Sequence, residues 1–361
     1  MKKGKITPAF LNKLITTPST VIEKLDLIYT NSHQLSIQRI KNKKGFSYIR
    51  NKKPVSGEIL ERIEKLVIPP AWEKVRITHL SNGHLQATGK DAKNRKQYRY
   101  HPLWAKVRNQ TKFYKMAFFA EQLPALRKQI EKDLRQKKWV KTKVLALVVK
   151  LMEETHIRIG NRYYAKKNKS YGLSTLRTKH VHFFKNKLKF EFTGKKGIKH
   201  SVTLRNKKLI QLVSRCEELP GWQLFQYIDE EGNKNAIDSS MINEYLREIS
   251  GELFTAKDFR TWGATVIFFN TLMETGMAET PEETAKNLLE AHNATAKALG
   301  NTRNVCRKYY VHPLIVAKYE DGSLKKSFAK VEKSKSRKRY FTKSEEEILK
   351  IIKNYKPNLE D

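Results

Sequence analysis

The hydrophobic spacing changes period part-way along the chain, and this change constrains the fold more than any other feature. Over the first hundred residues, apolar and polar side chains alternate in short runs such as Phe46 to Ile49 and His84 to Ala87, punctuated by Gly83 and Gly89. That is the two-residue repeat of half-buried strands. From about Phe113 the repeat lengthens to three and four, with Leu123, Leu126 and Ile130, then Val144, Leu147, Leu151 and Thr155, each set forming one apolar helical face. The expectation is an α+β chain with a small β-rich N-terminal domain at 1–107 and a larger, mainly helical domain at 108–361. A linker near Trp104 to Asn109 would serve as hinge. Ile68-Pro69-Pro70-Ala71-Trp72 reads as an extended turn that anchors the small domain, because each proline fixes its own φ and biases the preceding residue away from helix.

The helical region is interrupted between Gly172 and Phe192 by β-prone segments, and Lys187 to Thr193 alternates before Gly194-Lys195-Lys196-Gly197, which predicts a hairpin. Helical patterns resume at Lys208 to Glu217, Met241 to Ile249, Trp262 to Met273 and Pro281 to Ala298, the last with Thr280 as N-cap and Pro281 in the first turn. Beyond Tyr310, the stretch from Lys325 to Lys343 has Glu332 as its one acid, and reads equally as a nucleic-acid-contacting arm or a solvated linker. A short amphipathic tail follows near Ile348 to Ile352. No internal repeat is present.

At 361 residues and 39% hydrophobic content the chain has material for more than one packed core. Its 73 Lys and Arg against 36 Asp and Glu give a net charge of +37, which calls for a polyanionic partner, nucleic acid first among them. A basic protein of another kind, such as a ribosome-associated factor, is the plainer alternative. Cys216 and Cys306 lie far apart, without CxxC spacing or a nearby His cluster, so neither a disulfide framework nor a metal site is expected. A reducing cytoplasm fits. The apolar run Phe10 to Ile15 is broken by Asn12 and Lys13 and is too short for a secretory core, and no segment approaches a membrane span.

Candidate chemistry centres on Asn301 to Pro313, where Tyr309 and Tyr310 follow Arg307 and Lys308. A phenol has a pKa of about 10, so attack at neutral pH needs cations that favour the phenolate and neutralise a phosphate. The chain has 15 tyrosines, most of which must be packing residues, so partners are required. Arg158 in Arg-Ile-Gly160, Lys195 at the hairpin turn and Arg260 in Lys257-Asp-Phe-Arg-Thr-Trp-Gly263 each stand beside a glycine or loop. Singly, each reads as a solvated surface cation.

As an ordered set these motifs resemble the type IB DNA topoisomerases, in particular the compact bacterial and poxvirus-type branch. In that family an Arg-x-Gly element precedes a Gly-Lys on a hairpin, and the 37-residue separation of Arg158 and Lys195 matches the family's interval. The Lys-Asp-Leu/Phe-Arg-Thr element falls at Lys257 to Thr261 and gives Arg260. The family's nucleophile follows a His or Asn by nine residues, which selects Tyr310 over Tyr309 when Asn301 is that partner. Gln97-Tyr98-Arg99-Tyr100 resembles the family's major-groove segment, with Arg95 and Lys96 beside it, and Tyr164 stands where a phosphate-contacting tyrosine is expected.

The resemblance implies a monomeric, nucleoid-associated enzyme that closes two lobes around double-stranded DNA and needs no cofactor or metal. It further implies that Tyr310 forms a 3′-phosphotyrosyl bond, that Arg158, Arg260 and Asn301 stabilise the charge that develops, and that Lys195 protonates the leaving 5′ oxygen. Lysine suits the last role because arginine is effectively never deprotonated. No GxxxxGK[ST] phosphate loop and no carboxylate cluster suggests a different route. Two readings compete. A tyrosine recombinase would place a His-x-x-Arg element where this chain has Lys257 three residues before Arg260, and a DNA-binding protein without chemistry would have no need of all five site residues.

Overall fold

The computed structural model describes residues 7–43, 45–251, 254–335 and 338–359. They divide into two compact units: the described residues up to Lys115 with those from Lys356 onward, and Met116–Tyr355.

The first unit opens with α1 (Pro8–Thr16), capped by Thr7, whose hydroxyl accepts from the Phe10 N–H at 3.2 Å. Strands β1 (Ile37–Asn42), β2 (Gly45–Arg50) and β3 (Lys53–Pro54), helix α2 (Gly57–Lys65), and strands β4 (Glu73–Ile77), β5 (Leu85–Lys90) and β6 (Lys96–Tyr100) follow. The strands form one six-stranded antiparallel sheet in the order β3-β2-β1-β4-β5-β6. Ile63 of α2 packs on Ile37, Val75, Ile77 and Ala87 of the sheet, as the alternating pattern requires. The proline turn is held by Arg39 on β1, whose guanidinium donates to the carbonyls of Ile68, Pro69, Pro70 and Trp72. One planar fork thereby gathers four carbonyls of a segment whose one internal backbone bond is the Trp72 N–H on the Pro69 carbonyl at 3.0 Å.

Helix α3 (Pro102–Leu134) begins eleven residues before the change of period near Phe113 and runs without a break through Trp104 to Asn109. The hinge expected there is therefore helix. Trp104 and Val107 are buried with Leu11, Leu14, Val21, Ile22 and Leu27 in a second core of the first unit. The helix passes from the first unit into the second.

The second unit adds α4 (Lys141–Thr155), α5 (Arg162–Asn168), the three-stranded antiparallel sheet β7 (Val181–Phe184), β8 (Lys187–Thr193) and β9 (Lys199–Leu204), then α6 (Lys207–Glu217). A two-stranded ribbon, β10 (Gln226–Ile228) with β11 (Lys234–Ala236), leads into α7 (Ser239–Ser250), α8 (Ala256–Thr275), α9 (Pro281–Leu299), α10 (Arg303–Tyr309), α11 (Pro313–Glu320), α12 (Leu324–Lys333) and α13 (Lys343–Ile352). α4 is more than the one-faced helix its spacing suggests: every residue from Lys143 to Val149 is buried, so it is the unit's central helix. The Lys143 ammonium survives there by donating to the Gln136 carbonyl at 2.6 Å and lying 4.6 Å from the Trp139 ring.

Over α12 the basic stretch from Lys325 is a packed helix rather than a flexible linker: it buries Leu324, Phe328 and Val331 and turns Lys325, Lys326, Lys330 and Lys333 outward. Helix α13 begins with a reciprocal capping box between Thr342 and Glu345. Glu345 then ties the tail to the body. Arg127 of α3 pairs with it through both nitrogens at 2.8 and 2.6 Å and with Glu153 of α4 at 2.6 Å, and the Trp262 indole on α8 donates to it at 2.9 Å. The carboxylates hold the Arg127 pKa above its ordinary value despite burial.

Candidate active site

Arg158 is placed by backbone packing around two glycines. α4 ends at His156 in the left-handed region (φ 54), and the chain then runs against the segment after Gly172, with Leu173 N donating to Arg158 O at 2.8 Å and Ser174 N to Ile159 O at 2.6 Å. A Cβ on Gly172 would lie 2.4 Å from the Arg158 carbonyl, and one on Gly160 (φ +92) would lie 2.7 Å from Thr175 Oγ1. The glycine of the Arg-x-Gly motif is thus required by close approach and by conformation. Beside it, the His156 ring sits over Gly263 of α8, where a Cβ would come within 2.7 Å of Cε1. Burial, then the nearby Arg260 charge, push the His156 pKa down to about 4, so the ring is a neutral spacer between the two arginine segments.

The Lys257-to-Thr261 motif is a helix start. Asp258 accepts the Thr255 N–H at 2.9 Å in a capping box that fixes where α8 begins, and Phe259 goes into the core, edge-on to Phe119 at 4.9 Å. This leaves Arg260, 5% exposed, aimed at the end of α9, where Nη2 donates to the Leu299 carbonyl at 3.0 Å. That carbonyl is one of the orphan acceptors of a helix C-terminus, and a cation suits it. Gly300 (φ 56) ends α9, and Asn301 follows, held by its N–H to Ala296 O at 3.0 Å and by Arg158, which donates to its side-chain oxygen.

Tyr310 caps α10, with its N–H on the Cys306 carbonyl at 3.0 Å, and its ring centroid lies 5.8 Å from the Arg260 guanidinium carbon. Tyr309 points elsewhere: it is 45% exposed, with Lys308 at 5.5 Å. Burial would raise the Tyr310 pKa, but the charges of Arg260 and Arg158 outweigh it and bring it below the ordinary phenol value. Side-chain hydrogen bonds from Asn301 and Arg260 to the phenol lower it further, and among the described residues Arg260 Nε and Nη1 and Asn301 Nδ2 find no well-formed acceptor besides it. Buried donors are ordinarily satisfied, so a group of donors that outnumbers what one phenol oxygen accepts leaves capacity for a further acceptor.

Lys195 stands where the hairpin reading placed it, in the turn between β8 and β9, where Lys196 (φ 66) and Gly197 (φ 78) take left-handed conformations. The turn is closed by Gly194 N on Ile198 O at 2.7 Å. Lys195 is exposed, and it lines one small pocket with Arg158, His156, Tyr171 and His200. Arg158, Lys195, Arg260, Asn301 and Tyr310 therefore come together within the second unit.

Residues 93–339 match the family described as eukaryotic DNA topoisomerase I, catalytic core, and residues 45–91 the bacterial DNA topoisomerase IB, N-terminal domain. DNA topoisomerase 1B of Acanthamoeba polyphaga mimivirus is 35% identical over 284 residues, 77% of this chain and 84% of that protein. The chain belongs to the type IB DNA topoisomerase family. DNA topoisomerase 1B of vaccinia virus (strain Copenhagen) is a more distant relative, 21% identical over 235 residues, 64% of this chain and 72% of that one. A solved XerH site-specific recombinase bound to difH substrate aligns with a TM-score of 0.34 at 16% identity, over 56% of this chain and 52% of that one, too slight a likeness to carry an argument.

In this type IB topoisomerase the expected groove-contacting residues lie on β6 of the first unit, and the two-residue repeat splits them between two faces. Lys96, Tyr98 and Tyr100 share one, the two tyrosine rings stacked at 6.0 Å with Lys96 5.5 Å from Tyr98. On the other, Gln97 donates to Asp91 at 2.9 Å and Arg99 to the Val67 carbonyl at 2.7 Å, while Arg95 pairs with Asp91 at 2.5 Å. Tyr164 is an exposed residue of α5 in the second unit, edge-on to Tyr163 at 5.6 Å. Sequence reasoning missed His156, His200, Gly172 and Thr265. Their roles depend on contacts far apart along the chain, and none stands in a spacing pattern that marks it.

Proposed function

We propose that the protein relaxes supercoiled double-stranded DNA, as a monomer, by cutting and resealing one strand through a covalent tyrosine intermediate. Tyr310 gives up its phenol proton to water, its oxygen attacks a phosphodiester phosphorus in line, an O–P bond forms to give a 3′-phosphotyrosine, and the bond to the 5′ oxygen breaks. Arg158 and Arg260 neutralise the charge that grows on the non-bridging oxygens, and Asn301 adds a neutral donor. Lys195 delivers a proton to the departing 5′ oxygen, which leaves as a hydroxyl. While that end is free the duplex swivels; the hydroxyl then attacks the phosphotyrosine and reverses every step. The phosphotyrosyl bond conserves the energy of the broken one, so ATP has no part. Three side-chain cations supply the charge that a metal ion would otherwise provide.

The observation that carries this reading is a buried Tyr310 phenol whose pKa is lowered by the charges of Arg260 and Arg158 and by hydrogen bonds from Asn301 and Arg260, with further buried donor atoms of Arg260 and Asn301 beside it. Arginine and amide donors of this kind suit the non-bridging oxygens of a phosphate. Supercoiled plasmid incubated with the protein in EDTA without ATP tests it: relaxation is expected, and denaturant should trap protein on a 3′ end. Tyr310→Phe should abolish both while Tyr309→Phe retains them. The reverse pattern would move the nucleophile, and a wild type that does neither would end the proposal.

A further inference from the structure

We propose that His200 is a positioning residue that sets how the Lys195 hairpin docks against the Asn301 turn. The inference rests on the assignment of Lys195 as the proton donor to the leaving oxygen.

His200 lies on β9 directly opposite Phe192 of β8, and the two rings stack at 5.0 Å and 12°. The imidazole is thereby held flat at the base of the hairpin. One edge lies against Gly194, where a Cβ would come within 2.5 Å of its Cδ2 and Nε2. The other edge lies against Gly300, where a Cβ would come within 2.3 Å of Cε1 and 3.0 Å of Nδ1. The ring fills a slot that exists only because both positions lack a side chain.

Those two glycines immediately precede Lys195 and Asn301. Gly194 has φ −98, which any residue adopts, so backbone conformation does not explain it; contact with His200 does. Gly300, at φ 56, is a left-handed helix terminus where asparagine is also tolerated, and the ring contact is a second reason for glycine. Lys195 itself is exposed at the tip of a turn, and the His200 ring between Gly194 and Gly300 sets how the backbone of that turn lies against the turn that carries Asn301. Burial and the charges of Arg158 and Arg260 lower the His200 pKa, which keeps the plate neutral among cations. The role asks for a flat ring rather than for a proton.

The test is single-turnover cleavage by the full chain on two DNA duplexes, one with the ordinary bridging 5′ oxygen and one with sulfur there. A thiolate leaves without a proton, so the sulfur substrate bypasses Lys195. His200→Ala should slow cleavage of the oxygen substrate by on the order of 10²-fold, the cost of displacing a catalytic group by about 1 Å, with DNA binding unchanged. The sulfur substrate should restore most of the rate, His200→Phe should retain most of it on either substrate, and Gly194→Ala should behave as His200→Ala. A normal rate for His200→Ala, or equal slowing on both substrates, would overturn the proposal. If His200→Ala does not fold, Gly194→Ala decides: unaffected cleavage, or slowing that sulfur does not relieve, overturns it. Lys195→Ala is the separating control. Its rescue by sulfur with no rescue of His200→Ala removes the positioning role alone, whereas failure to rescue Lys195→Ala removes the proton-donor assignment and this inference with it.

Discussion

The buried hydroxyl of Thr265 brackets Tyr310: its proton is shared between the Thr261 carbonyl at 3.1 Å and the Tyr310 carbonyl at 3.3 Å, while its oxygen accepts the His312 N–H at 3.2 Å. Thr265 and Arg260 belong to one helix, so the same rigid element holds the backbone of Tyr310 and the guanidinium beside its ring. Thr265→Val keeps the volume and loses these bonds. It should cost about 1–2 kcal/mol of stability and slow cleavage by roughly tenfold without changing DNA affinity. Thermal melts and single-turnover cleavage check it; wild-type cleavage would show that the α10 cap alone places the phenol.

Arg158→Lys preserves charge but loses the planar fork that reaches Asn301. Cleavage is expected to fall on the order of 10²-fold, with DNA affinity nearly unchanged, and Asn301→Ala should fall similarly. Measuring cleavage and equilibrium binding on one duplex separates the two effects. Full activity in Arg158→Lys would reduce that residue to a point charge.

The phenol field has a pH signature. Removing a cation disfavours the phenolate, so Arg158→Ala should move the basic rise of the cleavage rate to higher pH than in the wild type, where Arg260 and Arg158 hold the Tyr310 pKa below its ordinary value. Profiles on a 5′-bridging-sulfur substrate remove the requirement for a proton donor and isolate this limb. An unmoved inflection would assign the shift elsewhere.

Stability should fall in mild acid. Burial, assisted by neighbouring arginines or lysines, lowers His156, His180 and His292 to about 4 from an ordinary value of 6.5. The unfolded chain therefore binds protons on these rings at a higher pH than the folded one. Their contribution is complete above about 6.5 and is lost progressively as the pH falls toward 4. Denaturant midpoints at pH 7.5, 6 and 5 should decline in that order, and His292→Phe should flatten the decline. A midpoint that rises on acidification would contradict the neutral state of these rings.

Glu345→Ala leaves the Arg127 guanidinium with Glu153 as its one acidic partner and takes the acceptor from the Trp262 indole. Breaking a buried pair from one side costs about 3–5 kcal/mol, so a clear drop in melting temperature is expected. A loss below about 1 kcal/mol would mean that water reaches the pair.

What could be read from the chain in advance follows from how local each cause is. The β8–β9 hairpin, the α9 start at Thr280 and the α8 motif are written in consecutive residues, because turns and caps are chemistry between near neighbours. Helix α4 was half legible: Val144, Leu147 and Leu151 mark one face, but Leu145, Ala146, Val148 and Val149 are buried too, and a helix packed on all sides has no spacing to declare it. The start of α3 was hidden by Lys106, Arg108 and Asn109, whose polarity resembles a linker although Trp104 and Val107 are buried at helical spacing. Within the site, Arg158, Lys195, Arg260, Asn301 and Tyr310 stood out through their motifs. Thr265, His156 and His200 did not, since each is defined by the element that happens to pack against it.

The Arg127–Glu345–Trp262 junction also gives the polypeptide an order of completion. A ribosome delivers Tyr310 35 residues before it delivers the carboxylate at Glu345. A nascent chain that already displays Tyr310 still has Arg127 of α3 without the Glu345 half of its pairing and an unpaired Trp262 indole on the helix bearing Arg260. The tyrosine proposed to cut the strand is therefore synthesised ahead of the last support for its own cage, and a chain stalled between the two holds the proposed reagent without the finished vessel.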